Sequence, residues 1–262
     1  MARICVGTPE KAAPVPSPVT YRGASETRRY FDGAKDPLHL HEHILPPGKS
    51  LVIGPMEADC VTYVRHGAVW AGPHSLPIRS SLVVEHGASA TLTAGAEGAT
   101  VLTFAAARPA DADRNGGHVH LLPDDRVPRY HAEASAGGAS GGLHFNGECP
   151  TCQVWLHENH MPGMADGNFR EAAERAIHSH SEDEIIFITG GSMRLGTRLV
   201  GPGTALAIAA DTFYSFTPGP EGLSFINFRA GRPQAFRMKS GGSFDEAGYW
   251  KDRVSLPDYL AA

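Results

Sequence analysis

At 262 residues, with a net charge of −5 at pH 7, 42% hydrophobic and 19% charged residues, the chain can build real cores but carries no broad basic field. That argues against nucleic acid or an anionic membrane surface as the main partner and for a small molecule. The length suits two domains of about 120 residues each, and 30 Gly with 20 Pro predict many turns, few short helices and an all-β class.

Taken in chain order, the start M-A-R-I-C-V-G-T-P-E-K has no sustained apolar run, and no stretch of about 18 apolar residues occurs later, so a cytoplasmic protein is expected. Pro14, Pro16 and Pro18 predict an extended arm over 1–20, either packed across another domain or loose. His39, His41 and His43 form H-x-H pairs with no glutamate leading into a strand. His118 and His120 are followed by Asp124, but D-D-R-V-P-R-Y replaces the apolar strand a metal motif needs, so neither set is expected to bind metal. The small-residue run over 132–142 predicts a flexible linker joining an N-terminal domain, 1–131, to a C-terminal domain, 143–262.

Four cysteines do not make a disulfide framework. Cys149 and Cys152 in C-P-T-C suit half of a zinc site or a redox pair; zinc needs two more ligands, and His157 and His160 sit closer than the usual spacing, so reduced, packed thiols are expected. F-R-E-A-A-E-R-A at 169–176 is the best helical window, with Asp166 or Asn168 to cap it. Elsewhere runs such as C-V-T-Y-V, A-T-V-L-T-F, Q-V-W-L-H, E-I-I-F-I and L-S-F-I-N-F recur between turns at about 8–12 residues, the pattern of a sandwich or barrel. The tail from Gly231 is apolar enough to cover a barrel or reach another subunit, and a homodimer is expected.

An internal repeat organises these runs. A shift of 124 residues lays 60–104 on 184–228 without a gap, matching Gly67 with Gly191, Gly72 with Gly196, Gly98 with Gly222 and Phe104 with Phe228. The two halves read as copies of one β-barrel. In the second copy His178, His180 and Glu184 share strand parity, so their side chains meet on one face. Two imidazoles and a carboxylate suit one divalent metal per chain, Fe(II), Mn(II), Zn(II) or Ni(II), with coordination positions left open. The same shift puts Gly54, Met56, Cys60 and Ala90 where His178, His180, Glu184 and Tyr214 stand, so the first barrel is expected to lack this site.

H-x-H-x3-E-x6-G, met by His178, His180, Glu184 and Gly191, resembles the first cupin motif. Gly196 and Pro202 meet part of the second, but Tyr214 stands where a cupin carries its last histidine, and Ala172 replaces the glycine that usually opens the first. The resemblance implies a bicupin: two tandem jelly-roll barrels, the N-terminal one degenerate and the C-terminal one metal-binding. Tyr214, the candidate catalytic residue, has four open roles: phenolate ligand, hydrogen-bond donor, acid/base, or barrel filler. Trp155, His157, Phe225 and Asn227 are candidate substrate contacts from the flanking strands, and Arg170, before the ligands, is a candidate holder of a substrate carboxylate. The expected function is a metal-dependent enzyme acting on a small organic molecule, an Fe(II) dioxygenase being favoured over a Mn(II) or Zn(II) lyase, hydrolase or isomerase. A non-catalytic barrel that captures a small ligand is the alternative.

Overall fold

The computed structural model describes residues 4–16, 20–32, 38–111, 114–134, 138–165, 167 and 169–262. Asp166 and Asn168, and parts of the expected arm (17–19) and linker (135–137), lie outside the described residues. The chain divides into two compact units, neither of them continuous in sequence. One comprises Met1–Pro9, Pro128–Gly147 and Val154–Leu256; the other comprises Glu10–Val127, Glu148–Gln153 and Pro257–Ala262.

The unit built around Glu10–Val127 carries an 11-stranded antiparallel sheet in the order Ala13–Val15, Glu26–Asp32, Leu38–Leu45, Ala90–Ala106, Cys60–Ala71, Ser81–Val84, Val119–Leu122 and Leu260–Ala261, the remaining strands pairing off this path. The unit built around Val154–Leu256 has an eight-stranded sheet in the order Ile4–Gly7, Ala205–Ile208, Glu184–Leu195, Thr217–Arg229, Trp155–Met161, Ser140–Asn146 and Arg129–Tyr130, with Arg198–Val200 pairing off Glu184–Leu195. A smaller three-stranded sheet, His178–His180, Ala235–Met238 and Ser243–Asp245, completes it. The expected all-β class holds: the α-helices among the described residues are Phe169–Arg175 and Glu246–Lys251. The arm contributes strands rather than remaining loose, because Ile4–Gly7 finds a free ladder edge on Ala205–Ile208.

The repeat is reproduced in the ladders pair by pair. Cys60, Thr62 and Val64 stand opposite Ala105, Thr103 and Val101; 124 residues on, Glu184, Ile186 and Ile188 stand opposite Arg229, Asn227 and Phe225. Outer neighbours match too, Cys60 with Val84 and Glu184 with Ile208. Alternation sends one set of side chains inward to be buried. Leu51, Val64, Leu82 and Val101 do so in one unit and Ile186, Ile188, Leu206 and Phe225 in the other, each contributing about 1.5–3 kcal/mol of transfer free energy.

The matched glycines have a steric cause. Gly67 and Gly191 sit at φ +69° and +64° beside bulges in their ladders, and a Cβ on them would lie 2.1 Å from Gly98 O and 2.2 Å from Gly222 O. By contrast, Gly196 has φ +60° with nothing within 4 Å. Gly196→Ala is therefore expected to cost about 1–2 kcal/mol of left-handed backbone strain. Gly191→Ala should cost about 1–3 kcal/mol more from the forced approach, a difference to be read from urea midpoints; equal midpoints would show that the backbone gives way.

Candidate metal and substrate site

Three rows of cross-strand neighbours form the inner wall of the unit that contains His178. Trp155, Arg229 and Glu184 lie in the first row, His157, Asn227 and Ile186 in the second, Asn159, Phe225 and Ile188 in the third. Directly opposed residues share a face, so Trp155, His157, Asn227 and Phe225 stand on the wall that carries Glu184. His178 and His180 approach from their short strand, which is held by Ala235–Met238 and by a backbone bridge in which His178 and Tyr214 exchange N–H···O bonds of 3.0 and 2.9 Å.

Both imidazoles have a defined tautomer. Nδ1 of His178 lies 2.7 Å from the carbonyl of Ala176, which can only accept, so the proton is on Nδ1 and Nε2 keeps its lone pair. Nδ1 of His180 likewise donates to Oε2 of Glu246 at 2.8 Å. Burial opposes the ionised form of Glu246, but the Arg229 guanidinium and the hydrogen bonds from His180 and Arg229 outweigh it and hold the carboxyl well below the usual carboxylate range. Burial, then the neighbouring His180, lowers the pKa of His178. Glu184 accepts from Nδ2 of Asn227 at 2.6 Å through Oε2, while its buried Oε1 has no well-formed hydrogen bond. Tyr214 is buried, and burial followed by the charge of Glu184 raises its pKa well above the ordinary value, so it stays a phenol with its hydroxyl at that carboxylate.

Sequence reasoning missed Arg229 and Glu246. The Arg229 guanidinium is buried against the site: 2.8 Å from Glu246 Oε2, 3.4 Å from Glu184 Oε2 and 3.3 Å from His180 Nε2, with 3.9 Å separating that nitrogen from Glu184 Oε2. The donors fit a divalent cation in kind, two imidazole nitrogens and a carboxylate. In spacing they stand wider than a closed site: among the described residues, the group whose ligand atoms all lie within 4.8 Å of one another is a different one, Glu85, His120, Cys149 and Cys152.

Three further buried polar atoms belong to this wall and have no hydrogen-bond partner among the described residues: Nε2 of His157, Oδ1 of Asn227 and Nε1 of Trp155. Burial lowers the pKa of His157 to about 3, so it is neutral. Such groups are available to hydrogen-bond a ligand, and the equivalent wall of the other unit has them too, at His41 and Thr62. Phe225 packs with Tyr214 in the apolar cluster of this unit. Arg170 is exposed on its helix, 5.8 Å from the ring of its neighbour Phe169. The tail covers this same unit, Trp250 packing 4.5 Å from His157 and 4.7 Å from Tyr130, ring centre to ring centre.

At the first unit's equivalent positions the wall reads His39, Ala105 and Cys60, then His41, Thr103 and Thr62. Neither the carboxylate nor the guanidinium is present, and burial lowers His41 to about 4 and His43 to about 3.

No protein-family model and no curated protein matches the sequence. Solved structures do match in shape. YlbA of E. coli, of family DUF861, superposes with a TM-score of 0.63 at 12% identity over 87% of this chain and 90% of its own. The oxalate decarboxylase of Lactobacillus farciminis, as its formate complex, gives 0.63 at 11% identity over 92% and 88%. A proposed dioxygenase of Nostoc punctiforme gives 0.61 at 11% over 88% and 83%. The fold is that of the cupins. At these identities the likeness carries the cupin fold and leaves the chemistry to the site.

Proposed function

We propose that this chain is a bicupin in which the barrel containing His178 works as a metal-dependent enzyme on a small organic molecule, while the other barrel is degenerate. The observation that carries the reading is the paired tautomer: a backbone carbonyl and a buried carboxylate each hold an imidazole proton on Nδ1, leaving both Nε2 lone pairs available, with that of His180 3.9 Å from Glu184 Oε2. Orienting partners of this kind accompany metal-ligating histidines. A divalent ion held by His178, His180 and Glu184 supplies a Lewis acid, and iron supplies a redox centre as well. Asn227 fixes one oxygen of Glu184, Tyr214 stays a phenol whose O–H donates to that carboxylate, and Trp155 and Phe225 exclude water from the wall. His157 and Asn227 offer the polar atoms that a substrate meets.

Within this reading an Fe(II) dioxygenase is favoured over a Mn(II) or Zn(II) lyase, hydrolase or isomerase, the two-histidine, one-carboxylate set supporting iron and oxygen chemistry. Neighbours of both kinds exist, a proposed dioxygenase and an oxalate decarboxylase. The test is metal analysis of protein purified without added metal, compared with His178→Ala, together with oxygen uptake on turnover. Iron lost in the variant, with oxygen consumed, is the expected result; full anaerobic activity with manganese or zinc moves the assignment to the non-redox classes.

A second reading rests on Arg229. A guanidinium within 3.4 Å of both His180 and Glu184 already supplies a cation to this cluster, and a metal-free barrel that captures a small ligand follows if wild type and His178→Ala contain equal metal.

A further inference from the structure

The closest-set group of metal-ligating side chains lies on the other unit, away from its barrel core. Glu85 follows the strand Ser81–Val84, His120 lies on Val119–Leu122, and Cys149 and Cys152 bracket C-P-T-C in the excursion Glu148–Gln153 that belongs to the same unit. Leu121 pairs with Leu82 and enters the core, so its neighbour His120 faces the opposite side of the sheet. There, one carboxylate oxygen, one imidazole nitrogen and two sulfurs all lie within 4.8 Å of one another.

Nε2 of His120 is 3.8 Å from Sγ of Cys149 and 2.7 Å from Oε1 of Glu85. A tetrahedral zinc with bonds of about 2.3 Å to sulfur and about 2.0–2.1 Å to nitrogen sets its ligand atoms about 3.3–3.8 Å apart. The separations here, from 2.7 Å up to at most 4.8 Å, bracket that size, so zinc would take the place of the His120–Glu85 hydrogen bond. Neither cysteine is in a disulfide, and C-x2-C is the spacing with which a zinc knuckle offers two sulfurs.

We propose that Glu85, His120, Cys149 and Cys152 form a structural zinc site that pins the 148–153 excursion to this unit. The supporting bonds are already in place. The side chain of Glu85 is fully buried; its Oε2 accepts from the backbone N–H and Nδ1 of His118 at 3.0 and 2.8 Å, and its Oε1 from Thr151 Oγ1 at 2.6 Å. The ring of Tyr259 lies 5.6 Å from that of His120 and covers the group. On binding, the two thiol protons leave to solvent and the His120 proton moves from Nε2 to Nδ1, so Zn²⁺ faces two thiolates and one carboxylate. Thiolate donors select zinc over Fe(II) or Mn(II), so zinc is expected here whichever metal the barrel takes, and neither proposal depends on the other.

The test uses reduced wild-type protein stripped with a chelator and titrated with Co(II). One equivalent is expected to raise a thiolate-to-cobalt charge-transfer band that zinc abolishes, and zinc should protect two of the four cysteines from alkylation. Cys149→Ser/Cys152→Ser should lose the band, while His178→Ala keeps it. A native wild-type protein with no such band, whose thiols alkylate equally with and without zinc, or one that recovers only a Cys149–Cys152 disulfide under these reducing conditions, overturns the site whatever the variants do.

Discussion

Arg229→Met is expected to destabilise the unit containing the barrel site by about 3–5 kcal/mol, the range for breaking a buried ion pair from one side. Arg229 is 1% exposed and is shared by Glu184 and Glu246. Methionine fills the volume and leaves two carboxylates facing each other without water. Lysine restores the charge but not the forked geometry that reaches both acids, so Arg229→Lys should recover only part of the loss. Adding Glu246→Gln to Arg229→Met removes one orphaned charge and should be less destabilising than the sum of the single changes. Tryptophan fluorescence during urea unfolding reads this well, since Trp155 and Trp250 are buried in this unit while Trp70, in the other, is 47% exposed. A midpoint change worth under about 1 kcal/mol would remove the guanidinium from the list of things that hold the barrel together. The acid side carries a related consequence. The pKa of Glu246 is depressed on folding, so its contribution is present above the unfolded value of about 4.3 and is lost as pH falls below it.

His180→Ala should lower metal affinity by more than about 100-fold, because losing a ligand exceeds the 10–100-fold typical of losing the group that orients it. Glu246→Gln tests that gradation. Glutamine can still accept the Nδ1 proton of His180, but without the charge that makes Nε2 a better donor, so a fall of about 10–100-fold is expected. Chelator competition gives both numbers, with metal at the cysteine cluster counted separately through Cys149→Ser/Cys152→Ser. Should both variants bind metal as wild type does, the barrel cluster is an ion-pair network and the ligand-capture reading stands.

Much of the fold was legible because its signals are local. Strand alternation and turn glycines recur at one spacing, and the ladders repeat that spacing residue by residue from Cys60–Ala105 to Glu184–Arg229. Parity pairs Trp155 with His157 and Phe225 with Asn227 on common faces, and the ladder register is what sets both pairs on the wall that carries Glu184. What stayed hidden needs long-range contact. Arg229 lies one residue past the last matched pair of the repeat, Phe104 with Phe228; its counterpart is Ala105, and a charge replacing alanine at an inward position is a visible signal. Glu246 sits in a tail that reads as apolar packing, and only a separation of 66 residues brought together in space sets it on His180. Sequence spacing offers His157 and His160 as the nearest partners of Cys149 and Cys152, whereas the ladder and the excursion bring in His120 and Glu85 instead. The unit boundaries differ from a simple halving for the same reason: Ile4–Gly7 and Leu260–Ala261 each complete a sheet of the unit made mostly from the opposite half.

That interleaving bears on how such a chain can be divided. On the proposed bicupin reading one copy lacks the barrel ligands, yet excision of either half strips a terminal strand from the other's ladder. Shared strands thus tie the folding of each unit to residues from the other half of the chain. Expressing the gene as two fragments split at Val127 and Pro128 is expected to give soluble protein only when both are made in the same cell.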